Sequence, residues 1–284
     1  MSRIFRRTFL TALAVTAGVA PLAAQAATPY LMPTQFSTQA NHTTVQAAQV
    51  MEAYFTPFST LRGGSYTLLQ PDGSTAAPTK VVELTDVTMI EAALPTVGTY
   101  RLTTGEWVTR TTKLVKIDGA WKTVRPAPPA GAPAPQPNPR FVEEANVPAG
   151  AETVTTQGLL TTDVYISRGA PNDTVLKPTG KGLELTPSHN PTDVFGGDSL
   201  TYRLTLDGKP LAGAHVAVHA AGNTYAGKVI FAEGDTDATG AYKLTYPPGV
   251  YSLQVAYPAP TAPDPTAAPV LKAYTYTTTF EVNP

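Results

Sequence analysis

The sequence predicts an all-β protein made of two β-sandwich-like domains, the C-terminal one immunoglobulin-like. Thr, Val and Tyr are abundant, and 28 prolines and 22 glycines divide the chain into short runs. β-Branched and aromatic residues are typical of strands, whereas Pro and Gly mark the turns between them. After the first segment, helical periodicity of useful length is absent from the sequence. Residues 43–54 are the one stretch that fits either a short helix or a strand.

The first 26 residues predict an export signal. Arg6 and Arg7 precede an uncharged apolar run, and Ala24 and Ala26 place small residues where a signal peptidase cleaves. The run has about 16 residues, fewer than the roughly 20 that a membrane span needs. We therefore expect residues 1–26 to be a cleaved signal peptide and the mature protein to be periplasmic. The arginine pair leaves both the general secretory and the twin-arginine route open.

Composition limits the classes of function. The chain has no cysteine, which excludes a lipoprotein anchor, a disulfide framework and thiolate metal sites. The net charge is −1 and only 14% of residues are charged, so we expect no nucleic acid as partner. No stretch of the mature sequence is apolar enough over a sufficient length to predict a membrane span.

We assign residues 27–181 to an N-terminal β-rich domain, in which Asp118-Gly119 is the strongest hairpin signal. Residues 126–140 hold too many prolines for a sheet ladder and predict a Pro/Ala-rich insertion, either a docking arm or an inert loop. Trp107 and Trp121 fit core or cross-strand aromatics, with a ligand platform as the alternative. The predicted strands of this domain cover residues 65–70, 80–84, 87–92, 98–103, 111–117, 120–124 and 154–166.

We assign residues 182–284 to the immunoglobulin-like sandwich. About seven short strands in about 100 residues is the spacing typical of that architecture. Its recurring tyrosines fit a sandwich core, or in part an exposed face that binds a glycan or a protein. The first strand begins at Leu183, and the others cover residues 199–206, 214–220, 228–232, 241–246, 249–257 and 272–282.

Histidine is the remaining source of metal ligands. His215 and His219 lie in a predicted strand, where they share one face but stand roughly 13 Å apart, too far to bind one ion together. His42, near the mature N-terminus, forms a second candidate with Glu52 or with a distant His. The candidate metal ligands are therefore His42, His215 and His219, for nickel, cobalt, zinc or copper. His189 lies in a turn and is expected to be solvated, and polar-face histidines remain the alternative for the others.

Motifs for catalysis are missing from the sequence. It contains no Gly-x-Ser-x-Gly elbow, no His-Glu-x-x-His and no phosphate-binding Gly loop. The scattered carboxylates give no positive support to glycoside cleavage. Residues 235–240 resemble the first half of a calcium loop, but the twelfth position is Tyr246 instead of the bidentate Glu, so we interpret them as a turn. We expect a protein that is not an enzyme.

Residues 207–257 are similar to carboxypeptidase-regulatory-like or bacterial immunoglobulin-like modules. Asp-Gly and Asp-x-x-Gly build hairpin turns in such modules, because the Gly takes a backbone shape that other residues disfavour. The segments that carry this similarity are Asp207–Ala214, Thr236–Tyr242 and Pro248–Tyr251.

The mature chain as a whole resembles a periplasmic family of otherwise unknown function, whose members are often labelled nickel or cobalt uptake-associated proteins. The matching segments are Thr28–Pro33, Thr161–Asn172 and Gly180–Leu185. The resemblance implies a non-catalytic accessory role in transition-metal uptake, with a membrane transporter or an outer-membrane receptor as partner. The alternative is a structural or binding module of the cell envelope that recognises a glycan or another protein.

One position departs from that family. Its members commonly begin the mature chain with a His, whose imidazole and free amine chelate one metal ion. Cleavage after Ala26 places Ala27 there instead, followed by Thr28 and Pro29. This chelate is therefore not expected, and any metal ligands would be the internal histidines.

Overall fold

A computed structural model describes residues 27–50, 55–61, 64–129, 131, 136–222 and 229–284. The predicted signal peptide and part of the Pro/Ala-rich insertion lie outside these residues. The regular structure is almost entirely β strand, which confirms the all-β prediction. Two short 3-10 helices cover Glu144–Asn146 and Thr174–Leu176. Within the described ranges, no helix is both long and apolar enough to cross a membrane.

The described residues form 21 strands, numbered here in chain order. They are β1 Thr28–Pro33, β2 Ser37–Thr38, β3 His42–Val50, β4 Ser59–Thr60, β5 Thr67–Leu69, β6 Thr75–Ala76, β7 Lys80–Glu83, β8 Thr88–Ala93, β9 Gly98–Thr103, β10 Trp107–Ile117, β11 Ala120–Arg125, β12 Phe141–Glu143, β13 Thr153–Arg168, β14 Leu183–Pro187, β15 Ser199–Leu206, β16 Lys209–Pro210, β17 His215–Ala220, β18 Val229–Asp235, β19 Ala241–Thr245, β20 Gly249–Tyr257 and β21 Lys272–Val282.

A five-stranded sheet, called here the small sheet, has the order β1-β3-β8-β7, with β4 also beside β3. Strand β3 resolves the ambiguous stretch as β structure up to Val50, and residues 51–54 lie outside the described part. Strand β1 was not predicted. It accommodates Pro29 and Pro33 because it pairs only with β3, and an edge strand tolerates the missing amide donors.

A twelve-stranded sheet, the large sheet, connects both halves of the chain in the order β12-β11-β10-β13-β21-β20-β17-β18. The 16-residue strand β13 is central to it. The first part of β13 pairs with β10 on one side and in parallel with β21 on the other, and its last four residues pair with β9. A separate four-stranded sheet contains β14, β15, β16 and β19.

Two hydrophobic cores lie on opposite faces of the large sheet. The first core, between the small sheet and strands β5, β9 and β13, includes Leu160 and Val164. The second, between the four-stranded sheet and strands β17, β20 and β21, includes Tyr276 and Phe280. Cross-strand partners point to the same face, and Tyr276 pairs with Thr161, the neighbour of Leu160. The architecture is therefore two β-sandwiches that share one continuous sheet.

The predicted turns have the expected backbone shapes. Asp118 and Gly119 both have positive φ angles, 53° and 79°, as a two-residue hairpin turn requires. The segment that resembles a calcium loop is closed by Asp237, whose Oδ1 accepts hydrogen bonds from the Thr239 amide at 2.8 Å and the Ala241 amide at 3.0 Å. These bonds lower the pKa of the Asp237 carboxyl and use the oxygen that a cation would otherwise contact.

Candidate functional site

The histidines of strand β17 lie on the face of the strand opposite the second core. Val216 and Val218 alternate with them and are fully buried in that core. His215 is paired across the ladder with Asp235 of β18, and their Nδ1 and Oδ1 atoms are 3.3 Å apart. The two side chains are 36% and 64% exposed, so solvent and ions reach this pair. Strand pairing therefore fixes an imidazole next to a carboxylate on an accessible surface.

The other histidines are not part of this pair. His219, four residues further along β17, is buried next to Ser252 of β20. His42 begins β3 in the small sheet, exposed, with Nδ1 3.2 Å from Asn41 Oδ1. Among the described residues, no group of three or more His, Asp or Glu side chains is placed to hold one metal ion. The structure thus separates His42, His215 and His219, and Glu52 lies outside the described part.

A buried ionic cluster lies where the two sandwiches meet. Asp163 of β13 is completely buried, and its Oδ2 accepts a hydrogen bond from Arg101 Nε at 2.7 Å and contacts Arg101 Nη2 at 2.5 Å. The Tyr276 hydroxyl of β21 also donates to Oδ2 and accepts from Arg101 Nη2 at 3.1 Å. The Arg101 guanidinium lies 5.9 Å from the centre of the Tyr165 ring. The cluster therefore links strands that serve both cores.

Burial and mutual attraction set the ionisation of this cluster. Burial works against the charged guanidinium, but the nearby Asp163, Tyr276 and Tyr165 raise the pKa of Arg101 well above its usual value. Burial raises the pKa of Tyr165 to about 12 and also raises the pKa of Tyr276 well above its usual value. Arg101 therefore stays charged and both tyrosines stay neutral near neutral pH. Asp163 is fully buried and the Arg101 side chain largely so, and we interpret the cluster as a structural connection.

Sequence reasoning missed this cluster, although a local signal was present. Asp163 and Arg101 are charged residues in the interior of strands whose other interior residues are apolar or polar without charge. Lone charges in such strands are rarely buried without a partner. The signal indicates that a partner exists but does not identify it, because Asp163 and Tyr276 are 113 residues apart in the sequence.

The fold and this geometry define the protein as an all-β protein of two sandwiches that share one sheet, with a buried ion pair at their junction. Within that class of protein, the chain belongs to the family described as "Domain of unknown function (DUF4198)", whose model matches residues 24–259. No curated protein has a detectable match to the chain.

Several solved structures are similar to this chain at low identity. A DUF4785 family protein from Legionella pneumophila is 7% identical, with a TM-score of 0.23, over 80% of this chain and 50% of that one. The chain thus spans half the length of the Legionella protein. The FN1–FN3 domains of chicken CNTN1 are 12% identical, with a TM-score of 0.22, over 91% of this chain and 68% of that one. Escherichia coli alpha-2-macroglobulin activated by porcine elastase is 10% identical, with a TM-score of 0.21, over 91% of this chain and 31% of that one.

Proposed function

We propose that this protein is a non-catalytic accessory protein of the periplasm that takes part in transition-metal uptake. The observation that carries the proposal is the accessible pair of His215 and Asp235, with Nδ1 and Oδ1 3.3 Å apart. Imidazole and carboxylate both bind nickel, cobalt, zinc and copper. A tetrahedral site with bonds of about 2.0–2.1 Å has neighbouring ligand atoms about 3.3 Å apart. The pair therefore has the spacing of one edge of such a site.

The pair supplies only part of a coordination sphere. A tetrahedral ion needs four ligands, so water or a partner protein would provide the others. Such a contact is open and exchanges its ion readily, which suits a protein that passes metal to a membrane transporter or receives it from an outer-membrane receptor. In this proposal the metal is cargo and not a resident cofactor.

Three further features belong to the same proposal. The periplasmic location rests on the export pattern of the first 26 residues, and the immunoglobulin-like character of the C-terminal sandwich rests on the similarity of residues 207–257. The link to nickel or cobalt rests on the resemblance of the mature chain to proteins with that label. The expectation that the protein is not an enzyme rests on the catalytic motifs that the sequence lacks.

Equilibrium dialysis of the mature protein against nickel, cobalt, zinc and copper tests this proposal. We expect at least one ion to bind with a Kd below about 100 μM, equivalent to about −5.5 kcal/mol. His215→Asn removes a direct ligand and should weaken that binding at least about tenfold. The matched control is His189→Asn, since His189 lies outside the pair and its Nδ1 is 3.1 Å from Ser188 Oγ. Binding that is unaffected by His215→Asn, or no binding below about 100 μM, would contradict the proposal.

A further inference from the structure

Two adjoining cavities form a groove where the small sheet lies beside the large sheet. They have volumes of about 320 and 450 Å³ and share Gln49 of β3, Thr109 of β10 and Leu160 of β13 as lining residues. The smaller cavity extends to Gln254 of β20, and the larger one to Trp107 of β10. Grooves between packed domains are common ligand sites. None of the residues that line this groove belongs to the His215–Asp235 pair or to the buried ionic cluster.

The side chains that line this groove are neutral and rich in hydrogen-bonding groups. None of the described residues that line either cavity has a charged side chain, although Ala27, which lines the smaller cavity, would carry a free amine after cleavage at Ala26. Gln49 and Gln254 each offer an amide that donates and accepts, and hydroxyl groups of Thr and Ser lie between them. Gln254 Oε1 lies 3.5 Å from Thr28 Oγ1. The side-chain amide of Gln49 has no hydrogen-bond partner among the described residues. A lining of this kind gives little attraction to metal cations or phosphate anions, but it matches ligands that carry hydroxyl groups.

Trp107 adds an aromatic wall and an unused donor. Trp107 is one of the residues that line the larger cavity, and its indole Nε1 is buried without a hydrogen-bond partner among the described residues. A buried donor without a partner is uncommon and is often explained by water or ligand. Indole rings combine an apolar face with a polar edge, so they suit ligands that are apolar on one side and polar at the rim.

The backbone near the groove favours recognition through side chains. The ladder between β10 and β13 is interrupted by a β-bulge at Thr109, whose Oγ1 donates to the Gly158 carbonyl at 3.1 Å. Bulges are frequent next to binding sites because they redirect side chains. Among the strands that form the groove walls, β3, β10, β13 and β21 pair on both sides, whereas β1 pairs only with β3 and has a free edge on which Pro29 and Pro33 supply no amide donors. An extended peptide that binds by adding a strand therefore has little free backbone to pair with.

We propose that this groove binds a neutral glycan. Sugar hydroxyls both donate and accept hydrogen bonds, as do the Gln amides and Thr hydroxyls of the lining, and the apolar face of a sugar ring packs against an indole. This inference goes beyond the proposed role in metal uptake and does not depend on it. The glycan would bind through Trp107, Gln49 and Gln254, without any contribution from His215 or Asp235.

The chain has two tryptophans, which permits a site-specific fluorescence test. In the Trp121→Phe variant, Trp107 is the only tryptophan, so emission reports on the groove alone. We titrate this variant with maltohexaose, cellohexaose and chitohexaose, and with polygalacturonate as an anionic comparison. At least one neutral sugar should change the emission saturably with a Kd below about 1 mM. Polygalacturonate should give no saturable change.

Substitutions then locate the response. Gln49→Met should weaken sugar binding about tenfold, because it removes a hydrogen-bonding amide at similar volume. Gln46→Met on the same strand is the control and should leave the affinity unchanged, since Gln46 does not line the groove. In Trp107→Phe, where Trp121 is the only reporter, the emission change should be lost.

Several results would overturn the proposal. They are the absence of any saturable sugar response at about 10 mM, a response that persists in Trp107→Phe, or saturation by polygalacturonate alone. If Trp121→Phe does not fold, isothermal titration calorimetry of the unsubstituted protein measures whether the same sugars bind. Metal dialysis is run separately, so a negative sugar result leaves the test of the metal contact intact.

Discussion

Replacing Asp163 with Asn tests whether the buried ionic cluster stabilises the junction of the two sandwiches. The substitution keeps the size of the side chain but removes its charge. Asp163 is fully buried, and the Arg101 side chain is only 12% exposed, so the guanidinium would remain buried opposite a neutral group. Breaking a buried ion pair by removing one partner costs about 3–5 kcal/mol. We expect about 3 kcal/mol, because Arg101 keeps the Tyr276 hydroxyl as an acceptor.

This loss is a substantial fraction of the usual free energy of unfolding of a domain, about 5–15 kcal/mol. Urea unfolding followed by circular dichroism measures it as a lower midpoint at an unchanged slope. The control is Asp235→Asn, which removes a carboxylate that is 64% exposed and should cost less than about 1 kcal/mol. The double variant Asp163→Leu with Arg101→Met removes both charges and should be more stable than Asp163→Asn alone.

Two outcomes would refute this interpretation of the cluster. One is a loss below about 1 kcal/mol for Asp163→Asn, because a buried guanidinium left without its carboxylate should destabilise the protein by more than that. The other is a double variant that is less stable than Asp163→Asn, because removing both charges would then destabilise the protein more than leaving the guanidinium without its carboxylate.

Two other predictions concern alkaline pH and a turn. Burial raises the pKa of Tyr165 from 10.0 to about 12, so above about pH 10 the unfolded chain loses this proton first and stability falls as pH rises. The full effect is about 2.7 kcal/mol for this residue, and an unchanged urea midpoint between about pH 9 and about pH 11.5 would contradict it. Gly240→Ala places a Cβ 2.4 Å from the Leu204 carbonyl oxygen and 2.9 Å from the Leu211 amide nitrogen, at a φ of +74°. The free energy of unfolding in urea should fall by more than about 2 kcal/mol. The control is Gly119→Ala, at a φ of +79° with open space around the new Cβ, which should cost about 1 kcal/mol. Equal losses for the two variants would exclude the steric cause.

Much of the strand layout could be predicted from the sequence because its signals are local. Strands Gly98–Thr103, Ser199–Leu206, Gly249–Tyr257 and Lys272–Val282 have the predicted bounds. Each is rich in β-branched and aromatic residues and is followed within two residues by a Gly, Pro or Asp, so neighbouring residues alone indicate it. The short strands β2, β4, β6 and β16 have two residues each, too few to show any periodicity.

The shared sheet could not be predicted because it depends on distant residues. The parallel pairing of β13 with β21 brings together Gln157–Val164 and Lys272–Thr279, and neither segment carries a signal that specifies the other. The same holds for Arg101, Asp163 and Tyr276, and for the groove that combines β3, β10 and β20. Sequence patterns specified which residues point inward, whereas only the three-dimensional fold determined which inward residues meet.

The proposed metal contact is tested most directly by nuclear magnetic resonance of the ¹⁵N-labelled mature protein titrated with paramagnetic nickel. The proposal predicts that amide signals near His215 and Asp235, on paired strands β17 and β18, broaden first and that His215→Asn abolishes this broadening. Signals near His42 and His189 should remain sharp at the same nickel concentration. Broadening centred on His42 or His189, or no selective broadening anywhere, would contradict the proposed role of the His215–Asp235 pair.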